Sequence, residues 1–316
     1  MQYVKHRHTK EPILLPGLKL IGGKNRVRDL LYEHFPKNYD RYIEPFMGTG
    51  GVVIGKDSSN IEVVGDLNEY AIGYYKLLQK DPEAFWTEMN TTLADLQYLG
   101  KPYYKLLVKE VTLTKDPVLK SVYFYLITKH CMNGIWRLNK SGQCNSSYCG
   151  TVKGRGIFTR PHFDAVVDRV KNIDFRLSDY KDLLDLANKV QIDLTCQTYP
   201  NSLQYTTSKE TFVFLDPPYL LKSKEVPDGC VTTYNGCKFL LEDHHELHDK
   251  LVKADYKWAL TINDCLYVRE LYKNFNRLSF SVFYSSSQTK AGRGHKPELL
   301  IMNYDPSPTT FKLPIV

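Results

Sequence analysis

No apolar run in the 316-residue chain exceeds six residues, Val122 to Ile127, and two of those six are Tyr. A bilayer-crossing helix needs roughly 20, so no membrane span is expected. The first 20 residues hold four Lys or Arg and two His. They lack the roughly 7–15-residue apolar segment of a secretory signal, and an intracellular protein is expected. Cysteine is sparse, with seven scattered residues and no C-x-x-C pair. An odd, thinly spread set does not form a disulfide framework. His130, Cys131, Cys144 and Cys149 match no standard zinc spacing, so reduced thiols and no metal are expected. The 19 Gly and 16 Pro are too few for a fibrous or disordered chain. Neither an internal repeat nor a low-complexity segment is present.

The most informative absence is of negative charge. From Pro117 to Phe163, 47 residues contain no Asp or Glu but do contain Lys120, Lys129, Arg137, Lys140, Lys153, Arg155 and Arg160. These seven charges equal the formal net charge of the whole chain, +7, so the remainder is balanced. A second acid-free stretch, Ser285 to Pro297, carries Lys290, Arg293 and Lys296 among Ser, Gly, Gln and Thr. Separated cations among hydrogen-bond donors suit a phosphate backbone. A solvated basic face is the alternative, and the lack of any interleaved acid favours nucleic acid.

Hydrophobic periodicity sets out the organisation. Helical patterns are expected at 25–35, closed by Pro36, and at 68–79. Strands are expected at 41–46 and 61–65. Two helical patterns, about 82–98 and 117–130, precede a polar stretch from Asn133 to Gly156. A helix from about Pro161 and a strand at 174–177 resume the alternation. Phe212 to Leu215 reads as a buried strand. A helix at about 240–253, a strand at 258–262, a helix from Leu266 and strands at 278–284 and 298–304 follow. The last two strands have no helix between them and should pair antiparallel. Alternation of this kind implies a mostly parallel, doubly wound sheet covered by helices. The reading divides the chain into a discontinuous domain, 1–75 and 166–316, and an inserted, mainly helical domain, 76–165.

Two motifs sit at strand ends. Glu44-Pro45-Phe46-Met47-Gly48-Thr49-Gly50-Gly51 is a glycine loop through which backbone can approach a ligand. It is neither G-x-G-x-x-G nor a P-loop. Asp66 ends the next strand, where a carboxylate can accept hydrogen bonds from ribose hydroxyls. The pair suggests an adenosine-type cofactor. The second motif, Asp216-Pro217-Pro218-Tyr219, follows the buried strand. Its prolines stiffen the backbone, and the Asp216 carboxylate and Pro217 carbonyl supply two acceptors. Tyr219 supplies a stacking ring. Two acceptors and a stacking surface suit a planar ring bearing an exocyclic amine. Gripping the N–H bonds draws the nitrogen towards tetrahedral geometry and stabilises the charge that develops on it.

With these residues on the page, the chain resembles the Dam-type, α-group DNA adenine-N6 methyltransferases along nearly its whole length. Lys19 to Lys24 resembles the family's first element, with Leu20 where the family has Trp. Glu44 to Gly50 resembles the cofactor loop, and Asp66-Leu67-Asn68 the acid after the second strand. Asn133 to Asn139, with Gly142 and Asn145, resembles the recognition hairpin, with Ser147 in place of a proline. Ser178-Asp179-Tyr180, Asp216 to Tyr219 and Glu298 to Tyr304 complete the order. The resemblance implies a class I S-adenosylmethionine-dependent (Rossmann-like) sheet with an inserted target-recognition domain. It implies methyl transfer to adenine N6 in double-stranded DNA by direct displacement, without a metal, on a base flipped from the stack.

By the same resemblance, Asp216, Pro217, Pro218 and Tyr219 are catalytic. Lys24, Glu44, Phe46, Gly48, Gly50, Asp66, Asp179, Tyr180 and Asp216 approach the cofactor. Lys19, Met132, Asn133, Ile135, Arg137, Asn139, Lys140, Lys153, Arg155, Lys290 and Arg293 face DNA, with Met132 at the position of the duplex wedge. Thr151-Val152 replaces the family's basic-aromatic pair. Lys19, Ile135 and Arg137 match the residues that read GATC. The expected setting is cytoplasmic and nucleoid-associated, or an intracellular phage or viral enzyme, with or without a restriction partner. Cytosine-N4 transfer, RNA adenine transfer and a non-catalytic nucleic-acid module stay open at this point.

Overall fold

The computed structural model describes residues 3–5, 12–150, 156–194, 202–205, 207–220, 232–234, 237–284 and 294–306. Seven strands form one sheet: β1 (Arg41–Glu44), β2 (Ile61–Asp66), β3 (Ile173–Leu177), β4 (Thr211–Leu215), β5 (Lys257–Asn263), β6 (Asn276–Tyr284) and β7 (Gly294–Met302). Their order is β6-β7-β5-β4-β1-β2-β3. Every neighbouring pair from β5 to β3 is parallel. Strand β7 runs antiparallel to both β5 and β6, as the missing crossover helix requires.

The central strands are buried along their whole length, which is what a parallel sheet covered on both faces demands. Alternate side chains serve opposite cores. Phe212 and Phe214 of β4 join one core, Val213 and Leu215 the other. Charged residues in these strands are paired. The Arg41 guanidinium donates to Thr211 Oγ1 and to the carbonyls of Ala187 and Lys189, each at 2.8 Å. Glu62 receives Lys56 and Arg169. Without such partners their burial would be prohibitive.

The helices are α1 (Arg28–His34), α2 (Gly51–Gly55), α3 (Glu69–Lys80), α4 (Pro82–Leu99), α5 (Lys101–Glu110), α6 (Pro117–His130), α7 (Arg160–Val170), α8 (Tyr180–Ala187), α9 (Leu241–Val252) and α10 (Leu266–Leu271). Asn68, Asp81, Asp116 and Asp179 cap α3, α4, α6 and α8 by accepting backbone N–H groups, and prolines open α4 and α6. Two helices were expected between 82 and 130, and the fold has three. The extra one, α5, buries only Tyr104 and Leu107, so its apolar stripe is thin. Helix α8 was not expected either. Short hairpins pair 3–5 with 12–14, 191–194 with 202–205, and 232–234 with 237–239.

Positions 75/76 and 165/166, drawn as domain limits, lie inside α3 and α7. Phe85, Phe124, Tyr125 and Phe163 of α4, α6 and α7 share one continuous core with Tyr74 of α3 and with Tyr42, Phe212 and Phe214 of the sheet.

Candidate active site

A cavity of about 320 Å³ opens at the carboxyl ends of β1, β2 and β4. This is where strand order reverses about β1, the crevice that open α/β sheets use for ligands. Glu44 ends β1, Asp66 ends β2, and Asp216 follows β4; all three line the cavity. So do Lys24, Phe46, Gly48, Asp179, Tyr180, Pro217, Pro218 and Tyr219. The two motifs, far apart in the chain, thus face one space.

Each wall has a local cause. Asp66 accepts the Gly48 N–H at 2.7 Å and the Asn68 N–H at 2.8 Å, which ties the glycine loop to the second strand. Burial pushes its carboxyl above the ordinary range, against those hydrogen bonds. Gly48 has φ +55°, and a Cβ there would meet no protein atom within 4 Å. Gly50 was expected beside the cofactor but does not line the cavity. Its φ of +71° starts α2, and a Cβ would stand 2.9 Å from the Tyr75 hydroxyl, so it serves packing. Phe46 stacks on Tyr180 with ring centroids 5.3 Å apart and meets Phe239 edge-on at 5.8 Å. Phe239 and Asp243 also line the cavity; no sequence signal marked them. Glu44 is 1% exposed and accepts the Tyr42 hydroxyl at 2.8 Å. Burial pushes its carboxyl up to about 8, with Asp216 adding to the rise and Tyr42 opposing it.

At the Asp216 end, Lys24 Nζ lies 2.7 Å from Asp216 Oδ1 and 4.8 Å from the centre of the Tyr219 ring. The Tyr219 hydroxyl donates to Glu298 at 2.7 Å. A second cavity, about 170 Å³, adjoins the first along Ile21 to Lys24 and is also lined by Lys19, Arg26, Asn133, Phe283 and Glu298.

The hairpin segment presents several expected DNA-facing residues to solvent. Lys19, Asn133, Arg137, Asn139 and Lys140 are exposed, and Ile135 is half-buried. Met132 is 51% exposed, so it is not a core methionine. Asn133 has φ +56° and sits on a tight turn beside Lys19, whose carbonyl lies 2.9 Å from a Cβ built on Gly134. The Asn139 side-chain oxygen accepts the N–H groups of Ser141 and Gln143, both at 2.9 Å, which gives this residue a role in the turn itself. Lys153, Arg155, Lys290 and Arg293 lie outside the described residues, as do Thr151 and Val152.

Two charges of the acid-free stretch are taken up within the protein, one by burial and one by ion pairs. Lys129 is buried and donates to the Gly156 carbonyl at 2.6 Å; burial, then Lys19, pushes its ammonium down to about 7. Arg160 is paired with Glu83 and Asp164, acids contributed from beyond the stretch. Among the described residues, no group of three or more His, Cys, Asp or Glu stands close enough to hold a metal ion. None of the described helices is long and apolar enough to cross a membrane.

Comparison with known proteins gives a consistent picture. The profile described as D12 class N6 adenine-specific DNA methyltransferase matches residues 20–286. The chain is 27% identical over 310 residues to the type II methyltransferase M.MjaIII of Methanocaldococcus jannaschii, covering 92% of this chain and 99% of that protein. It is 24% identical over 290 residues to a DNA adenine methylase of Vibrio cholerae, covering 90% and 94%. A DNA N-6-adenine-methyltransferase of Escherichia phage P1 is 24% identical over 273 residues, covering 80% of this chain and 30% of that protein.

Proposed function

The chain belongs to the D12 class N6 adenine-specific DNA methyltransferases, and from that premise we propose that it transfers a methyl group from S-adenosylmethionine to adenine N6 in double-stranded DNA, with GATC as its favoured site. The observation that carries this reading is the single cavity joining the glycine loop, Asp66 and Asp216 to Tyr219.

The cavity's donor set fits the cofactor. Gly48 and Gly22 line it where added Cβ atoms would meet no protein atom, leaving an open cradle beside the backbone. Asp66 supplies an acceptor for ribose hydroxyls, Phe46 and Tyr180 an aromatic wall, and Glu44 a carboxyl for a cationic group. Lys24 and Asp179 complete the rim. When bound, S-adenosylmethionine supplies a methyl group on a sulfonium, which is electrophilic without a metal.

The chain's own residues do the rest. Asp216 and the Pro217 carbonyl accept the two N–H bonds of the amine, which favours the developing positive charge on nitrogen. Tyr219 stacks on the flipped base, and Pro218 keeps the turn rigid. Lys24 pairs with Asp216 Oδ1 and so leaves Oδ2 for the amine. Arg137, Lys140, Lys153, Arg155, Lys290 and Arg293 meet phosphates or base edges, with Met132 and Asn133 at the base of the hairpin. Lys19, Ile135 and Arg137 match guanine and thymine-methyl readout, which supports GATC. We assign residues 76–165 to target recognition and the remainder to catalysis. An intracellular location accords with a DNA substrate.

The test is incubation with labelled S-adenosylmethionine and either duplex DNA or RNA, then nucleoside analysis and methylation mapping. The expected product is N6-methyladenine in duplex DNA at GATC. Asp216→Ala should lower the methyl-transfer rate on the order of 10²–10³-fold. Near-parental turnover in that variant would falsify the assigned mechanism, whereas another mapped motif would remove only the GATC assignment.

A further inference from the structure

Strands β5 and β7 support the Asp216–Tyr219 turn from outside the motif. Thr261 of β5, wholly buried, donates its hydroxyl to Asp216 Oδ1 at 2.7 Å. The Leu215 carbonyl is a poorer acceptor for the same proton, at 3.4 Å. Two residues along β5, on the same face, Asn263 accepts the Leu220 N–H at 3.0 Å. Glu298, the register partner of Asn263 in β7, accepts the Tyr219 hydroxyl. Two neighbouring strands therefore fix the carboxylate, the ring and the backbone that leaves the motif.

Thr261 and Lys24 converge on one oxygen. Both meet Asp216 Oδ1, and Oδ2 makes no hydrogen bond or ion pair among the described residues. An ionised carboxylate accepts at either oxygen and turns easily about its last bond. Two donors on Oδ1 remove that freedom. Lys24 reaches Asp216 on a long flexible stem from another element, whereas the Thr261 hydroxyl is built into a central strand. We propose that Thr261 is a positioning residue for the methyl transfer, turning Asp216 so that Oδ2 is the oxygen presented to the amine. This rests on the reading that Asp216 accepts a hydrogen bond from the target amine.

The experiment measures single-turnover methylation and DNA affinity for Thr261→Val and Thr261→Ser, with S-adenosylmethionine and adenine-unmethylated plasmid DNA. Valine matches threonine in shape but cannot donate. The single-turnover rate of T261V should fall about ten- to a hundredfold, the scale of a hydrogen bond to a charged group. The DNA dissociation constant should be unchanged, and T261S should recover most of the rate. A purely structural role would not produce this split between rate and affinity, nor a rescue that tracks the hydroxyl. If T261V does not fold, Thr261→Cys, a weak donor, should be slow in its place. Parental turnover in whichever of these variants folds, or equal slowing of T261S, overturns the proposal. Asp216→Ala measured alongside separates the two claims. If it too keeps parental turnover, the motif's assigned role falls and the claim on Thr261 with it; if only the Thr261 variants do, the claim on Thr261 alone falls.

Discussion

Glu44 concentrates much of the site's electrostatics in one carboxyl. Its burial holds it protonated in the folded chain up to about 8, while in the unfolded chain it ionises near the ordinary value of 4.5. Between these values the folded state binds more protons, so this group's contribution to stability is lost as pH rises through that window. Lys129 acts in the opposite direction over a higher range. With its ammonium pushed down to about 7, the unfolded state binds more protons above that point, and stability gains with pH. The two are separated by comparing parent with Glu44→Gln. The variant should lose the fall in Tm between about pH 5 and pH 8 that Glu44 imposes on the ligand-free protein. A cationic ligand favours the ionised carboxyl, so cofactor affinity should also tighten from pH 6 to pH 8 in the parent and not in the variant. Calorimetric titration and thermal melts across that range check both; identical pH slopes in the two proteins would remove Glu44 from this account.

Among the elements, the hairpin segment from Met132 to Tyr148 shows what local sequence can and cannot convey. Its loss of helical period, its glycines and its cations were visible as a string, and the structure places Arg137 and Lys140 in solvent. What a string does not reveal is which cations are left free. Lys129 sits on α6, whose residues from Val122 to Ile127 are nearly all buried, and an ion pair to Glu83 takes up Arg160 across 77 residues. The same limit explains the missed helix α5, where Leu106 is exposed and only two side chains are buried. It also explains the start of β7, read at 298 rather than 294, because residues 295–297 project into solvent and carry no apolar alternation. The candidate cavity was legible because glycine and acid at strand ends are local signatures; Phe239 and Thr261 arrive from distant elements and carry none. Neutralising Arg137 or Lys140 should flatten the log–log salt dependence of DNA binding by ~1 each. Arg137→Ala should in addition relax selection at one base pair by ~1–3 kcal/mol. Lys129→Met should leave the salt slope as it is. Binding isotherms at several salt concentrations read all three.

At the scale of the whole molecule, the alternation of strand and helix patterns sufficed to imply a doubly wound sheet, because buried parallel strands and amphipathic helices differ in period. The joint core did not follow from that pattern. Phe85 of α4 and Phe124 of α6 pack into the same apolar body as Phe212 and Phe214 of β4, so these helices should not unfold apart from the sheet. Phe124→Ala should cost about 3–5 kcal/mol and shift one cooperative transition rather than split it in two. Differential scanning calorimetry distinguishes these outcomes, with a separate early transition counting against a shared core.

The hold of Glu298 on Tyr219 links residues 79 positions apart. Its alignment is set by β7, where Glu298 lies opposite Asn263 on one side and Phe280 on the other. A strand turns alternate residues to opposite faces, so a slip by one position presents Pro297 or Leu299 where the carboxylate had been. In the gene, the codons from Glu298 to Met302 therefore carry that alignment. An in-frame loss of one codon after Glu298 within this stretch preserves every residue of the Asp216–Tyr219 motif and still shifts by one position the group that fixes its ring.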